Sequence, residues 1–197
     1  MSPLPKKPKV RVVREGFILR RGDEIIDASS TVTLIDADDA MIIVDTGSPR
    51  DLYVLQDDLR SLKVDVESVD YVVNTHMHVD HCGCNDLFLH SKKVAHEAET
   101  PPLGTLTVVN DAVLVPGVMV AITPGHTPGS ISVFVDSDMR VAVCGDAIPT
   151  VENFKSHLPP AVAFDRRLAT MSMDRILEWA EVVVPGHGPS FSVVGKK

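Results

Sequence analysis

Residues 76–81, His-Met-His-Val-Asp-His, place four side chains that can bind a metal within six positions. The segment directly follows Tyr71-Val72-Val73, a run typical of a buried strand. Neutral imidazole binds zinc and other first-row metals, and a carboxylate adds a negatively charged ligand. The spacing therefore predicts a metal site at a strand end, and the fold must bring the rest of that site to the same place.

Three later segments share one organisation, an apolar run that ends at Pro or Gly beside an exposed His or Asp. They are Thr123–His126, Cys144–Asp146 and Val184–Gly188. Singly each is weak, because an isolated loop His or Asp is usually only solvated. Loops at sheet edges nevertheless carry many binding sites, and glycine lets the backbone turn sharply and approach an ion. Together the four segments predict a shared site.

Periodicity predicts a fold in which strands dominate the interior. A first hairpin turns at Asp38-Asp39, and residues 51–62 have leucines on one face of an amphipathic helix. The predicted strands are Thr31–Ile35, Met41–Val44, Tyr71–Val73, Val113–Val115, Val118–Ile122, Ile131–Val135, Val141–Cys144 and Val182–Val184, with a second helix over Asp165–Trp179. Residues 96–111 and 147–164 contain prolines without periodicity and are predicted to be surface loops. The loops at 97–112 and 147–164 are expected to set the substrate.

Length and charge limit the classes of function. The 197 residues predict one domain over 1–197, with residues 1–9 as a flexible tail. The net charge is −8, although residues 1–21 hold seven of the 19 Lys and Arg and one of the 27 Asp and Glu. An acidic body is a poor general platform for nucleic acid, and the basic arm is interpreted as a solvated tail.

Cysteine usage and hydropathy predict a cytoplasmic protein. Three cysteines leave an odd thiol and offer no disulfide framework of the secreted kind. The N-terminus lacks an apolar run of signal-peptide length, and no segment approaches the roughly 20 apolar residues that cross a bilayer. We therefore expect no membrane partner.

The order of the motifs, HxHxDH, GHTPG, GD and PGHG, resembles the metallo-β-lactamase superfamily from about Thr31 to the end of the chain. Residues 44–47, Val-Asp-Thr-Gly, are similar to that family's turn after the first hairpin. The resemblance implies an α/β fold, an αββα sandwich of two mixed sheets flanked by helices. It also implies two divalent metal ions, most simply zinc, with iron or manganese as alternatives.

The resemblance further implies the ligands of each ion. His76, His78 and His126 would hold one ion, and Asp80, His81 and His187 the other. Asp146 would bridge the two ions, and Asp80 would also be the catalytic residue that orients the attacking hydroxide or moves its proton. Asp45 is either a partner of a metal-bound histidine or a cap of its own turn.

Details within the family narrow the function. Position 146 is Asp, where many zinc β-lactamases have Cys, and this disfavours antibiotic hydrolysis. Position 78 is His, where the flavodiiron branch has Glu, and this argues against the redox function of that branch. Ten residues after His187 leave no room for the C-terminal domain of glyoxalase II, so we expect a minimal version of the fold. Residues 182–191 are most similar to a branch of compact hydrolases, which implies a homodimer and action on RNA.

The expected reaction is hydrolysis of an ester-type or phosphodiester bond by a hydroxide shared between two metals. The substrate would be a small ester or thioester, or RNA, and the alternatives include a glyoxalase II-like thioesterase, a lactonase and an endoribonuclease. A different class is a mononuclear iron persulfide dioxygenase, which would use only His76, His126 and Asp146. A metal-binding module without catalysis is a third class.

Several residues near these motifs have plainer interpretations. Cys82 and Cys84 flank Gly83. They could form a thiol metal site or a redox switch, or they could simply be small buried hydrophobic residues. His157 would either reach the substrate or remain a solvated loop histidine.

Overall fold

The computed structural model describes residues 6–22, 24–38 and 40–193. Its strands are β1 (Lys9–Arg14), β2 (Phe17–Arg21), β3 (Glu24–Ser29), β4 (Val32–Ala37), β5 (Ala40–Val44), β6 (Tyr71–Val73), β7 (Lys92–His96), β8 (Leu106–Val108), β9 (Ala112–Val115), β10 (Val118–Ile122), β11 (Ile131–Asp136), β12 (Arg140–Val143), β13 (Val182–Val184) and β14 (Phe191–Ser192). Its α-helices are α1 (Leu52–Ser61), α2 (Val79–Cys82), α3 (Val151–Ser156) and α4 (Arg166–Trp179). Short 3-10 turns occur at Pro49–Asp51, Val66–Ser68, Asn85–Leu87, Glu97–Glu99 and Gly145–Ala147.

The strands form two mixed sheets and a separate hairpin. The first sheet has the order β1-β4-β5-β6-β7-β8, with β5 to β8 parallel to one another. The second has the order β14-β13-β12-β11-β10-β9 and is antiparallel except for the pairing of β12 with β13. Strands β2 and β3 pair only with each other and form the hairpin outside both sheets.

Apolar side chains form three packed layers. Ile35 and Ile42 of the first sheet meet Val133 of the second in the layer between the sheets. The outer face of the first sheet is covered by Leu55 and Leu59 of α1, together with Phe88. The outer face of the second is covered by α4. The predicted αββα sandwich is therefore confirmed.

Helix α4 follows from its sequence. The Asp165 side chain accepts hydrogen bonds from the backbone amides of Arg167 and Leu168 and so caps the first turn. Ala169, Met173 and Ile176 then recur on one face and are buried, and Met173 and Ile176 pack against the second sheet. This packing fixes the helix start beside the His126 loop, where the Asp165 amide donates to the Gly125 carbonyl at 3.0 Å.

The structure corrects several boundaries. Each of the two predicted loops contains an element, β8 in residues 96–111 and α3 in residues 147–164. The predicted tail over residues 1–9 overlaps β1, because Lys9 pairs with Asp36. Residues 1–5, and Asp39 of the predicted hairpin turn, lie outside the described residues. That the chain is one domain stays a prediction.

Strands β2 and β3 were not predicted, since charged residues and exposed apolar residues mix there without clean alternation. Phe17, Leu19 and Ile25 remain substantially exposed. No helix within the described ranges is both long and apolar enough to cross a bilayer.

Candidate metal centre

The predicted ligand segments all lie where strands end, on the same side of the two sheets. His76 follows β6, and α2 carries Asp80 and His81. His126 follows β10, Asp146 lies in the 3-10 turn after β12, and His187 follows β13. All seven predicted ligands come together there, His76, His78, Asp80, His81, His126, Asp146 and His187.

Three histidines form the first cluster. Nδ1 of His78 lies 3.0 Å from Nε2 of His76 and 3.1 Å from Nε2 of His126. Each ligand atom of this trio lies within 4.8 Å of the others. Three ring nitrogens that converge in this way match the donor set of a first-row metal.

Asp80, His81 and His187 form the second cluster. The Nε2 atoms of His81 and His187 are 3.4 Å apart, and Oδ2 of Asp80 lies 3.7 Å from His187 Nε2. Both histidines are buried, whereas the Asp80 side chain is partly exposed and lines the pocket. Two buried imidazoles and one carboxylate again suit a divalent cation.

Asp146 lies between the clusters. Its Oδ2 is 3.5 Å from His126 Nε2, and its Oδ1 is 3.2 Å from His187 Nε2. Oδ1 is buried, and no group of the described chain makes a hydrogen bond of acceptable geometry to it. A buried carboxylate oxygen without a hydrogen bond is costly, so this atom fits a site that receives a cation.

Gly186 allows the close approach of Asp146. A Cβ at position 186 would lie 2.1 Å from Asp146 Oδ1 and 2.8 Å from the Gly145 carbonyl carbon. The Pro-Gly-His segment therefore needs glycine because the loops after β12 and β13 touch here.

Hydrogen bonds fix the orientation of three ligand rings. Nδ1 of His81 donates to Oδ2 of Asp45 at 2.8 Å. Nδ1 of His126 donates to the Val162 carbonyl at 2.7 Å, and Nδ1 of His187 to the Ser29 carbonyl at 2.8 Å. In the neutral form of each ring these bonds hold the proton on Nδ1, so the lone pair of Nε2 then faces the clusters.

Asp45 also reaches His76 through one hydroxyl. Thr75 Oγ1 donates to Asp45 Oδ2 at 2.7 Å and lies 3.2 Å from Nδ1 of His76. Of the two roles considered for Asp45, the structure shows the contact with a histidine that is a predicted ligand, His81. The positive φ of 55° at Asp45 shows how sharply the turn after β5 points the carboxylate inwards.

The electrostatics favour the metal-binding forms of His76, His78 and Asp146, but they favour a proton on His81 that a bound cation would have to displace. Burial lowers the pKa of His76 well below its ordinary value and also lowers the pKa of His78. Burial opposes ionisation of Asp146, but His81 and His187 lower its pKa well below the ordinary range. Burial also opposes protonation of His81, yet Asp45 and Asp146 raise its pKa well above its ordinary value. Neutral His76 and ionised Asp146 are the forms that bind metals.

A pocket of about 460 Å³ opens over the clusters. One wall comes from the β2–β3 hairpin, with Ile18, Ile25 and Ile26, and the opposite wall from Pro160, Ala161 and Val162. The 147–164 segment contributes Pro149, Pro160, Ala161 and Val162 to the pocket, whereas the 97–112 segment contributes no residue. That these loops set the substrate stays a prediction. The hairpin wall was missed; the signal for it was two apolar runs on either side of the Gly22 turn.

The remaining candidates are not members of the ligand clusters. Burial raises the pKa of the Cys82 and Cys144 thiols, and that of Cys84 to about 11, which indicates protonated thiols. All three cysteines are free. His157 is exposed, and its Nε2 lies 3.1 Å from Oδ1 of Asp174. This agrees with the interpretation of His157 as a solvated loop histidine.

Comparison with known proteins agrees with this geometry. A family model described as the metallo-beta-lactamase superfamily matches residues 26–107. Metallo-beta-lactamase domain-containing protein 1 of Xenopus laevis is 31% identical, with 98% of this chain and 85% of the relative covered. A probable metallo-hydrolase, MJ0296 of Methanocaldococcus jannaschii, is 33% identical over 90% of this chain and 86% of the relative.

Lactonases are similar both in sequence and in fold. An N-acyl homoserine lactonase of a Bacillus species is 28% identical, with 79% of this chain and 78% of the relative covered. A mutant of AiiA from Bacillus thuringiensis, with N-decanoyl-L-homoserine bound at its active site, superposes with a TM-score of 0.74. That pair is 21% identical and covers 94% of each chain.

Proposed function

The chain belongs to the metallo-β-lactamase superfamily and is a metal-dependent hydrolase, and we propose that it cleaves small ester-type substrates with two divalent ions. The observation that carries the proposal is the position of Asp146. Its two carboxylate oxygens face different clusters, with Oδ2 3.5 Å from His126 and Oδ1 3.2 Å from His187. One carboxylate shared between two groups of ligands is what a dinuclear site requires.

In this proposal His76, His78 and His126 would hold one ion. Asp80, His81 and His187 would hold the other, and Asp146 would serve as a ligand to both. Zinc is the first choice because imidazole and carboxylate suit it, with iron and manganese as alternatives. When bound, a pair of such ions lowers the pKa of a water molecule and polarises the bond to be cleaved.

The chain's own residues orient the ligands, move a proton and limit the water in the pocket. Asp80 lines the pocket with a partly exposed carboxylate, so it can accept a proton from the attacking water and pass it to the leaving group. Asp45, through His81 and Thr75, holds two ligand rings in place. The hairpin and Val162 cover the site with apolar surface, which limits the water around the reacting bond.

The pocket favours a small molecule. A volume of about 460 Å³ lies within the range of ligand pockets, and its walls are largely aliphatic. Lactones are the first class to test, because N-acyl homoserine lactonases are among the relatives. Thioesters come second. RNA is the third class, and the acidic net charge of −8 counts against it.

The mononuclear iron dioxygenase has less support. It would use only His76, His126 and Asp146, and would leave Asp80, His81 and His187 without a role. In the structure those three lie as close together as the first cluster does. The cytoplasmic location and the homodimer stay predictions, the latter open to light scattering after gel filtration.

The test is metal content per chain, measured on protein purified without added metal, followed by turnover of lactone, thioester and single-stranded RNA. Two ions per chain and hydrolysis of a lactone or thioester are the expected results. Asp80→Asn should lower kcat by at least a hundredfold, while Asp138→Asn, a change at an exposed acidic residue far from the clusters, should not. One iron per chain with oxygen consumption and no hydrolysis would overturn the proposal.

A further inference from the structure

Glu99 connects the two loops that carry the three-histidine cluster. It is the last residue of the 3-10 turn Glu97–Glu99, which follows β7. Its Oε2 accepts a hydrogen bond from the Met77 amide at 2.9 Å, and its Oε1 accepts one from the Gly129 amide at 3.0 Å. We call these two bonds the Glu99 bridge.

The bridge spans the two sheets. Met77 lies between His76 and His78, after a strand of the first sheet. Gly129 lies three residues after His126, in the loop between two strands of the second sheet. One side chain therefore fixes the distance between the backbone segments that supply all three ring nitrogens.

Only a carboxylate satisfies both amides. Each backbone N–H needs an acceptor, and a carboxylate offers one on each oxygen. Gln would place a donor against one of the two amides, and Asp is shorter by one methylene group. The loop also closes tightly on Glu99, because a Cβ at Gly129 would lie 2.7 Å from Oε1 and 2.8 Å from Cγ.

If the Glu99 bridge is lost, the His126 loop should move as a unit. The Thr127 amide donates to Ser130 Oγ at 3.0 Å, and the Gly125 amide donates to the Thr127 carbonyl at 2.9 Å. A loop held internally in this way shifts as a body when one of its external contacts is lost. Metal ligands need placement within about 0.5 Å, so a small shift matters.

We propose that Glu99 is a positioning residue that sets the spacing of the three-histidine cluster and thereby the affinity of its ion. The proposal rests on the proposed function for the identity of that site. It assigns a role to a segment that does not line the pocket, and it makes the ion at the first cluster more sensitive to Glu99 than the ion at the second.

The test compares Glu99→Gln with Glu97→Gln. Glu97 lies in the same turn, is exposed, and its side chain makes no hydrogen bond to the described residues, so this control removes an equal charge. Cobalt(II) titration in competition with a chelator gives the affinity of each site, and His78→Gln and His187→Gln identify which transition belongs to which cluster. Thermal unfolding of the metal-free proteins gives a readout that does not depend on the ions.

We expect Glu99→Gln to weaken cobalt binding at the three-histidine cluster by about 10- to 100-fold, the range seen when a partner of a metal ligand is removed. The second cluster should stay within about twofold, as should both clusters in Glu97→Gln. Equal weakening at both clusters with a lower melting temperature of the metal-free protein would indicate general destabilisation and overturn the inference. So would unchanged affinity at the first cluster.

A second variant guards against misfolding of the first. Gly129→Ala should displace the Glu99 carboxylate and weaken the same cluster, but it should add less in a Glu99→Ala background, where only the contact with the Glu99 backbone nitrogen at 3.0 Å remains. Additive losses would overturn the inference. A wild-type chain that binds one ion contradicts the dinuclear proposal instead, and Glu99→Gln then shows whether that ion depends on the bridge.

Discussion

The carboxylate of Asp45 accepts a hydrogen bond from Nδ1 of His81 at 2.8 Å, with both side chains buried. The same carboxylate accepts bonds from the amide and hydroxyl of Thr75 at 2.8 and 2.7 Å. Asp45 therefore supports ligands in both clusters without lining the pocket itself.

Asp45→Asn should weaken metal binding by about 10- to 100-fold, because one of the two acceptor oxygens becomes a donor and the charge that holds the His81 ring is lost. Asn tolerates the positive φ at this position, so the backbone should remain intact. Chelator competition measures the affinity, with Asp36→Asn on an exposed strand position as the control. Affinity unchanged within twofold would contradict the role assigned to Asp45.

Gly186→Ala should displace Asp146 from its position between the clusters, because the new methyl group would overlap Oδ1. We expect loss of at least one ion per chain and a lower free energy of unfolding, by about 1–3 kcal/mol for overpacking. Elemental analysis and denaturant unfolding measure the two effects. Gly188→Ala is the control, since its Cβ would meet no atom within 4 Å even though its φ of +111° adds strain. Full metal content in Gly186→Ala would be the contrary result.

Ile26→Ser should raise KM for substrates with long acyl chains by about three- to tenfold, because it removes apolar surface from the hairpin wall of the pocket. Metal content should not change. Leu19→Ser is the matched control, as Leu19 is 54% exposed on the same hairpin and does not line the pocket. Equal effects of both variants would show that the hairpin matters for stability rather than for the substrate.

Asp111→Asn should make the free energy of unfolding less dependent on pH in the acidic range. The hydrogen bond from Arg175 lowers the pKa of Asp111 below its ordinary 3.8. This contribution is complete above pH 3.8 and is lost as the pH falls through the lowered folded value. Because both side chains are about 40% exposed, the variant should lose at most about 1 kcal/mol at pH 7. Denaturant unfolding from pH 7 down to pH 2 tests this, and a difference between the two proteins that does not shrink as the pH falls below 3.8 would contradict it.

The thiols should react slowly in the native protein. Burial raises the pKa of Cys84 to about 11, and Cys84 Sγ donates to the Ser48 carbonyl at 3.1 Å. At pH 7.5 we therefore expect little alkylation by iodoacetamide, with full reaction after unfolding, as measured by mass spectrometry. Rapid native modification of Cys84 would revive the thiol-site interpretation.

The sequence predicted the parts of the molecule that repeat a simple pattern. Buried strands such as Val118–Ile122 are continuous apolar runs, and α4 has apolar residues at helical spacing. The ligand segments were visible because histidine and aspartate stood beside Pro and Gly at strand ends. The structure brings all of those segments together.

The missed elements had no such pattern. The β2–β3 hairpin is exposed on much of its surface, so burial does not impose alternation on it. Strand β8 is mostly exposed and has no continuous apolar run, and helix α3 has only six residues, too few for a helical period to appear. Glu99 resembles any other acidic residue, because its role depends on two amides distant in sequence.

The ligands of each proposed ion come from both sheets, with residues 76–81 on the first and His126 or His187 on the second. Each ion would then join the 76–81 segment to a histidine at least 48 residues further along the chain, in the manner of a covalent cross-link. Closing loops of that length disfavours binding to the unfolded chain, so the ions would stabilise the native state selectively. Metal supply would thereby influence the lifetime of the folded protein as well as its activity.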